Sequence, residues 1–364
     1  MDIIALMNLD DLESFGQLDR QNMLGEIENL PDQLQSAWGL GQTMPLEGLS
    51  DPTLRQVVIG GMGGSAIGAD LATAYFAPTC RVPVFVSRDY GLPAWAHGPE
   101  TLMIASSHSG DTEETLDAFE AARQAGCTLL AVCTGGELER RAAAIKAPVW
   151  KFRHDGQPRA AVGFSFGLLL AAFSRLGLID PPEKISRDVV QAVEAMKNQQ
   201  ENLRAGVAVV KNPAKRMAGQ LMGRWVNVYG SGILAPVARR WKGQINEIAK
   251  AGAGFEVLPE ADHNALAGLV NPTELLARTT TIFLHSAYDH PRNHLRLDLT
   301  RQGFMLEGLN TDTYEAKGES PLAHIWTALH YGDYSAYYLA MAYGMDPTAV
   351  EALVNFKSAM KSAK

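Results

Sequence analysis

Short runs of β-branched and aliphatic residues alternate with helical segments along most of this chain, and this alternation limits the possible folds. A strand, a glycine turn and a helix follow one another at 57–70, and the same order returns at 225–240. Strands that each lead into a helix are typical of a parallel sheet with helices on both faces. The pattern therefore predicts an α/β fold.

The resemblance between the two halves extends further along the chain. Residues 101–119 correspond to 279–299, and 304–311 is expected to form a strand equivalent to 128–133. Two copies suit a length of 364 residues, because a domain usually holds about 150 residues. We predict a helical arm over 1–50 that lies outside the core, a first domain over 51–205 and a second domain over 206–364.

Charge limits the partners that the chain can bind. The sequence has 32 Lys and Arg against 40 Asp and Glu, a net charge of −8. Such a chain has no basic surplus to neutralise a nucleic-acid backbone, so no nucleic-acid partner is expected. A small anion stays possible, because a few helix N-termini and one or two basic side chains decide its binding locally.

Cysteine use and hydropathy indicate the compartment. The three cysteines, Cys80, Cys127 and Cys133, are too few and too irregularly spaced for a disulfide framework. The N-terminal segment is acidic and does not look like a signal peptide, and the longest apolar run, 168–173, is too short to span a membrane. We expect a cytoplasmic protein without a membrane partner.

The first glycine turn is a candidate phosphate site. Gly63, Gly64 and Ser65 lie between a predicted strand and a predicted helix, where backbone N–H groups can approach an anion. The stretch 61–66 also matches the dinucleotide pattern G-x-G-x-x-A, and Arg88-Asp89 follow the next strand. A nicotinamide-dependent dehydrogenase and a turn that only allows close packing are therefore alternatives.

A second turn carries several hydroxyl groups. Ser107, Ser109 and Thr112 end one strand and open the next helix, where unpaired N–H groups also collect. A phosphomonoester with three terminal oxygens would use such a turn, whereas a dinucleotide fold has no need of it. In the alternative interpretation, Ser109 merely caps the helix.

Together the two turns resemble the sugar isomerase (SIS) domain. The whole chain is similar to the bifunctional phosphoglucose/phosphomannose isomerase family. The resemblance implies two tandem SIS domains, each a parallel sheet flanked by helices, in a homodimer. It also implies interconversion of glucose 6-phosphate or mannose 6-phosphate with fructose 6-phosphate, without a metal or other cofactor. The residues on phosphate-binding positions are Gly63, Gly64, Ser65, Ser107, Ser109 and Thr112.

The resemblance also assigns catalytic roles. Glu247 falls on the position of the carboxylate base, and Arg159 on that of the arginine near the reacting carbons. His263 and Lys357 match the groups that open the sugar ring, and the histidine reaches the site from the partner subunit in this family. Without the resemblance, Glu247 and Lys357 would be interpreted as solvated helical residues and His263 as a turn residue.

Three positions depart from the family pattern. Asp111 replaces the usual asparagine, and a carboxylate beside a bound phosphate repels it unless it is directed elsewhere. Ala265 stands where the family has an acidic residue, and His108 where tyrosine is common. These changes affect the expected phosphate affinity and sugar preference but leave each proposed catalytic group in place.

Two further hypotheses come from other classes of protein. Three histidines, at positions 285, 290 and 294, raise the possibility of a zinc site, although no Cys or carboxylate pattern completes a ligand set and a solvated loop is preferred. A non-catalytic SIS-type regulator would also bind a sugar phosphate. Such regulators usually carry a helix-turn-helix, whereas the segment before the first strand is acidic.

Overall fold

The computed structural model describes residues 8–49 and 54–363. The first sheet consists of β1 (Gln56–Gly60), β2 (Val84–Ser87), β3 (Thr101–Ser107), β4 (Thr128–Cys133) and β5 (Val149–Lys151). All pairs are parallel, and the order is β2-β1-β3-β4-β5. β3 is buried along its whole length, as expected of a strand between two helical layers.

The second sheet repeats the parallel arrangement with four strands. They are β6 (Trp225–Ser231), β7 (Ala253–Leu258), β8 (Thr279–His285) and β9 (Asn310–Glu315), in the order β7-β6-β8-β9. The predicted strand over 304–311 is wrong, because a helix continues to Leu306 and the strand begins only at Asn310. β7 was not predicted. With two parallel sheets flanked by helices, the predicted α/β class is confirmed.

Fourteen α-helices lie in the described part of the chain. Those before the second sheet are α1 (Leu12–Leu18), α2 (Met23–Glu28), α3 (Leu30–Thr43), α4 (Gly63–Phe76), α5 (Glu113–Gln124), α6 (Gly136–Ala144), α7 (Val162–Arg175), α8 (Pro182–Gln200) and α9 (Pro213–Leu221). The others are α10 (Ala235–Glu247), α11 (Thr273–Leu276), α12 (Pro291–Leu306), α13 (Pro321–Ala342) and α14 (Glu351–Ser362).

The N-terminal helices belong to the core, so the expectation of an arm outside it is wrong. α3 packs on α7 and α8 and buries Leu34 and Ala37 completely. The buried Gln33 side chain donates to the Ala160 carbonyl at 3.0 Å and accepts from the Gly163 N–H at 2.7 Å. The amphipathic sequence of these helices therefore reflects a buried face within the molecule.

The long helix α13 packs against elements from both halves of the chain. Its 22 residues are buried on nearly every side, and it contacts α8, α9 and α10. A helix that is covered all round belongs to the interior of a protein. The predicted domain boundary at 205 falls between α8 and α9 and stays a prediction, whereas the boundary at 50 lies outside the described residues.

Among the residues that the structure describes, no helix combines the length and the apolar character needed to cross a bilayer.

Candidate active site

The carboxyl ends of β1 and β3 are neighbours in the first sheet, and the space outside these ends is called the first crevice. The chain leaves β1 towards β2 on one side, and it leaves β3 towards β4 on the other. Ligands of open parallel sheets bind at such a reversal of strand order, because the two following loops diverge there. All six predicted phosphate-binding residues lie at or just after the ends of these two strands: Gly63, Gly64, Ser65, Ser107, Ser109 and Thr112.

The glycine turn brings the start of α4 close to a neighbouring segment. Gly63 has φ 51°, a left-handed conformation that glycine adopts without a steric penalty. A Cβ atom at Gly64 would collide with the carbonyl of Pro158, so the backbone approach requires glycine. In the described chain no side chain caps this helix, and the N–H groups of its first two residues, Gly63 and Gly64, remain available to an anion.

The hydroxyl turn at the start of α5 is organised by its own hydrogen bonds. Ser107 Oγ and Thr112 Oγ1 are 2.9 Å apart, and Ser107 Oγ also accepts from the Gly110 N–H at 3.1 Å. Ser109 Oγ accepts from the Asp111 N–H at 3.2 Å. The N-cap residue is Thr112, and no side chain of the described chain caps the helix. The interpretation of Ser109 as the helix cap is therefore wrong.

Asp111 is directed towards another helix. Its Oδ1 accepts from the Glu137 N–H at 2.8 Å in the first turn of α6, where a carboxylate is favoured. The repulsion expected from the departure at Asp111 is thus reduced, since the carboxylate is held at the start of α6.

A histidine pair connects the hydroxyl turn with the N-terminal helices, a feature that the sequence analysis missed. His108 Nε2 lies 2.9 Å from His154 Nδ1, and His154 Nε2 lies 3.1 Å from Glu26 Oε2. Burial, followed by the nearby His154, lowers the pKa of His108 to about 4. His108 is therefore neutral at pH 7 and adds no charge to the turn.

Arg159 and Glu247, which are far apart in the sequence, face each other beside the crevice. Arg159 Nη1 lies 3.6 Å from Glu247 Oε2. The arginine follows Pro158, the residue that contacts Gly64, and it is only 6% exposed. Its Nη2 donates to the carbonyls of Pro347 at 3.1 Å and Thr348 at 2.5 Å. The structure therefore places the predicted arginine and the predicted base next to the first anion turn.

A buried ion pair fixes the backbone at Arg159. Arg240 of α10 makes a two-point contact with Asp333 of α13, with N–O distances of 3.1 and 2.6 Å. The same guanidinium donates to the Arg159 carbonyl at 3.0 Å. Sequence reasoning missed this pair, although an aspartate within the otherwise apolar helix α13 was a usable signal, because buried carboxylates require partners.

The two predicted ring-opening groups do not join this cluster within one chain. His263 ends a 3₁₀ turn over Glu260–His263 and is exposed. Lys357 lies on α14, a helix with no buried residue. In the described part of the chain, neither side chain makes a hydrogen bond or an ion pair.

The equivalent crevice of the second sheet lies between β6 and β8 and is filled by side chains. Asp289, which is 8% exposed, accepts a hydrogen bond from Ser231, and a Cβ at Gly232 would collide with the same carboxylate. Nearby, His285 Nε2 is 3.0 Å from His294 Nδ1, and His294 Nε2 is 3.1 Å from the Asp289 carbonyl. Among the described residues, no three His, Cys, Asp or Glu side chains are arranged to hold a metal ion.

Arg88, which supported the dinucleotide alternative, is bound to α4. Its Nη2 donates to the Ala66 carbonyl at 3.1 Å and forms an ion pair with Asp70. Arg239 of α10 contacts the same carboxylate at 3.1 Å. These residues join elements from the two halves of the chain.

Two parallel sheets, an anion crevice with two uncapped helix starts and an adjacent Arg–Glu pair place the protein among α/β enzymes with two SIS domains. Two solved structures share this fold. The C-terminal domain of glucosamine-fructose-6-phosphate aminotransferase from Francisella tularensis has a TM-score of 0.65 at 14% identity and covers 90% of this chain and 98% of that one. A glucose-6-phosphate isomerase-like protein from Thermus thermophilus has a TM-score of 0.63 at 19% identity and covers 96% and 100%.

Sequence relatives define the family more narrowly. The bifunctional phosphoglucose/phosphomannose isomerase of Caldicellulosiruptor bescii is 37% identical over 94% of this chain and all of the relative. That of Aquifex aeolicus is 32% identical over 84% of this chain and 90% of the relative. Residues 210–360 match the family model of the bacterial phospho-glucose isomerase C-terminal SIS domain. The chain belongs to the bifunctional phosphoglucose/phosphomannose isomerase family, and it is an isomerase.

Proposed function

We propose that the protein interconverts glucose 6-phosphate and mannose 6-phosphate with fructose 6-phosphate through a cis-enediolate. The observation that supports this most directly is the Arg159–Glu247 contact of 3.6 Å beside the glycine turn of the uncapped helix α4. A phosphate held by the two turns places the sugar carbons along the crevice, and a base and a cation lie at its side. These are the groups that a proton transfer between C1 and C2 requires.

In this mechanism Glu247 removes the proton from C2 of the open-chain aldose and returns it to C1. The electron pair of the broken C–H bond forms the C1–C2 double bond, and the π pair of the C1 carbonyl moves onto O1, which becomes the enediolate oxygen. When Glu247 returns the proton to C1, the proton of the C2 hydroxyl passes to O1, so C1 becomes the alcohol and C2 the carbonyl of the ketose. Arg159 stabilises that negative charge. The Arg240–Asp333 pair holds the Arg159 backbone in place, so the guanidinium is preorganised before substrate arrives.

Ring opening precedes this transfer and uses His263 and Lys357 in our proposal. An imidazole titrates near neutral pH and suits proton exchange at the ring oxygen and hydroxyl. Both residues are exposed within one chain. We therefore assign His263 to the active site of a partner subunit in a homodimer.

Exposed apolar side chains support such a dimer. On α12, 55–80% of the surface is exposed at Leu299, Met305 and Leu306. On α14, the exposed fraction is 66% at Val354 and 62% at Phe356. Surfaces of this kind are typical of protein–protein interfaces. Helix α12 lies near the segment with His263, and α14 contains Lys357. A second copy that binds to these helices would therefore cover both residues and complete the site.

The phosphorylated substrate supports a cytoplasmic location.

A coupled assay tests the reaction. Fructose 6-phosphate formation is measured from each aldose phosphate, with and without a chelator, and we expect turnover of both that the chelator leaves unchanged. In D₂O, the product should incorporate solvent deuterium at C1, since a carboxylate base exchanges its proton with solvent. Inactivity on both sugars would refute the proposed function, and loss with chelator would indicate a metal enzyme.

The shared site is tested by mixing two inactive variants. Glu247→Gln and His263→Asn each disable every site of their own homodimer. In a mixed dimer, the His263→Asn chain contributes Glu247 and the other chain contributes His263, so one intact site forms. We expect activity to return after the chains are mixed and allowed to exchange. If His263 acts within its own chain, no activity returns although sedimentation shows mixed dimers.

A further inference from the structure

Lys250 follows the helix that ends with the proposed base. It has φ 54°, a left-handed conformation that is uncommon for residues other than glycine and asparagine. Its half-buried side chain turns back to the helix end, where Nζ donates to the Ile248 carbonyl at 3.1 Å. Nζ also donates to the Asp346 carbonyl in the loop after α13. The ammonium thus connects the end of α10 with a loop that lies far away in the sequence.

Glu247 occupies an electrostatically unfavourable position. It is the last residue of α10, and the carbonyl groups at a helix C-terminus disfavour a negative charge. A base for proton abstraction must nevertheless be ionised when substrate binds. Two nearby cations offset this cost. They are Arg159, whose Nη1 lies 3.6 Å from the carboxylate, and Lys250, three residues further along the chain, whose amine interacts electrostatically with Glu247.

The two cations also bind one loop between them. Lys250 donates to the carbonyl of Asp346, and Arg159 donates to those of Pro347 and Thr348. Three consecutive carbonyls therefore face the two side chains next to Glu247. This loop leads directly into α14, the helix with Lys357.

We propose that Lys250 is a positioning residue for the isomerisation, which places a positive charge at the helix end that carries Glu247 and holds the 346–348 loop against Arg159. This inference rests on the proposed function, since it assigns Lys250 a role through the base. The amine does not need to touch the sugar. It acts by its charge on Glu247 and by its hydrogen bond to the loop.

The other charged groups around Glu247 and Lys250 are few in the described part of the chain. Arg159 faces them from the 158–160 turn and Asp346 from the loop, while Arg240 and Asp333 bind each other behind Arg159. Burial, followed by the nearby Arg159, lowers the pKa of Lys250 to about 8, although Asp346 and Glu247 act in the opposite direction. Above about pH 8 the amine loses its charge, so the stabilisation of the Glu247 carboxylate decreases there.

The pH profile of kcat/KM, measured with glucose 6-phosphate, tests this role in three variants. Lys250→Asn removes the charge and retains a residue that tolerates the left-handed backbone. Lys250→Arg restores a cation whose charge persists at alkaline pH. Lys146→Asn is the matched control, because Lys146 also has a left-handed backbone, with φ 59°, but is exposed on the loop after α6.

Lys250→Asn should move the acidic limb of the profile to higher pH, because removal of a nearby cation disfavours the ionised form of a carboxylate. It should also lower kcat at pH 7 by about 10-fold or more with a smaller change in KM, because the 346–348 loop then no longer holds the Arg159 guanidinium in place. Lys250→Arg should return the acidic limb to its wild-type pH and move the alkaline limb to higher pH. Lys146→Asn should reproduce the wild-type profile.

Several outcomes would overturn the inference. An unchanged acidic limb in Lys250→Asn, with or without loss of activity, would leave Lys250 a structural role only. The same applies if the Arg variant loses activity together with the Asn variant. If Lys250→Asn does not fold, as judged by its thermal transition, Lys250→Gly provides the same loss of charge without backbone strain. An inactive wild-type protein would instead refute the proposed function and this inference with it.

Discussion

The two crevices of the molecule occupy the same position in their sheets but are lined by different groups. In the first, two helix starts without side-chain caps in the described chain and three hydroxyl residues surround the space after β1 and β3. In the second, the carboxylate of Asp289 lies between the ends of β6 and β8, bonded to Ser231. One crevice therefore offers unpaired donors to an anion, whereas the other already contains an anion from its own chain.

This difference indicates how a duplicated fold divides its tasks. A phosphate cannot enter the second crevice without displacing a buried carboxylate of the same sign. The second half is then free to supply other groups, and it provides Glu247, Lys250 and the Arg240 side chain that holds Arg159. We therefore expect binding to depend on the first half and proton transfer on the second, and substitutions can test that division.

The largest effect on turnover is expected from substitution of the proposed base in the second half. Glu247→Gln should lower kcat by about 1,000-fold or more, because an amide cannot accept the C2 proton. Substrate affinity, measured by calorimetry, should change little, since the phosphate crevice is intact. Glu194→Gln, an exposed helical position on α8, is the matched control and should keep wild-type turnover. Turnover near the wild-type rate in Glu247→Gln would remove Glu247 from this role.

A smaller effect is expected from the first crevice. Replacing Ser107 with Ala and Thr112 with Val removes two hydroxyl donors, and KM should rise about 10- to 100-fold with little change in kcat. A serine change in the second half, Ser286→Ala at the residue that directly follows β8, should leave KM unaltered. Steady-state kinetics of the wild type, the Ser107→Ala/Thr112→Val variant and the Ser286→Ala variant give the three KM values. Equal values would contradict phosphate binding at the first crevice.

The smallest effect is expected at the second crevice itself. Asp289→Asn keeps an acceptor for Ser231 and removes a buried charge, so the free energy of unfolding should change by no more than about 1 kcal/mol. Asp289→Ala leaves Ser231 without its partner and should cost about 1–3 kcal/mol in a urea titration. KM should be unchanged in both. A raised KM in Asp289→Asn would show that substrate uses both crevices.

Much of the first sheet and of the phosphate crevice could be predicted because the signals are local. A hydrophobic run, a glycine turn and a following helix are adjacent in sequence, and so are the hydroxyls from Ser107 to Thr112. Local signals also misled, as in the apolar stretch 304–311. Its first residues belong to the partly exposed helix α12, which the pattern alone could not distinguish from a strand.

Contacts between distant segments could not be predicted in this way. The direction of the Asp111 carboxylate depends on α6, and the binding of Lys250 depends on the loop after α13. Neither partner is adjacent in the chain, and each contact exists only after the helices have packed on their sheets. The buried position of α3 has the same origin, since an amphipathic pattern does not show which surface covers the apolar face.

The sequence alone determined the parallel α/β architecture, its repetition and the two turns that we propose hold a phosphate, since strand and turn preferences act over a few neighbouring residues. Tertiary structure decided that Arg159 and Glu247 meet beside that crevice and that Asp289 fills its counterpart. The first depends on how α10 packs against α4 and α13, and the second on the pairing of β6 with β8. Such contacts bring together side chains whose separation along the chain contains no information about their distance in space.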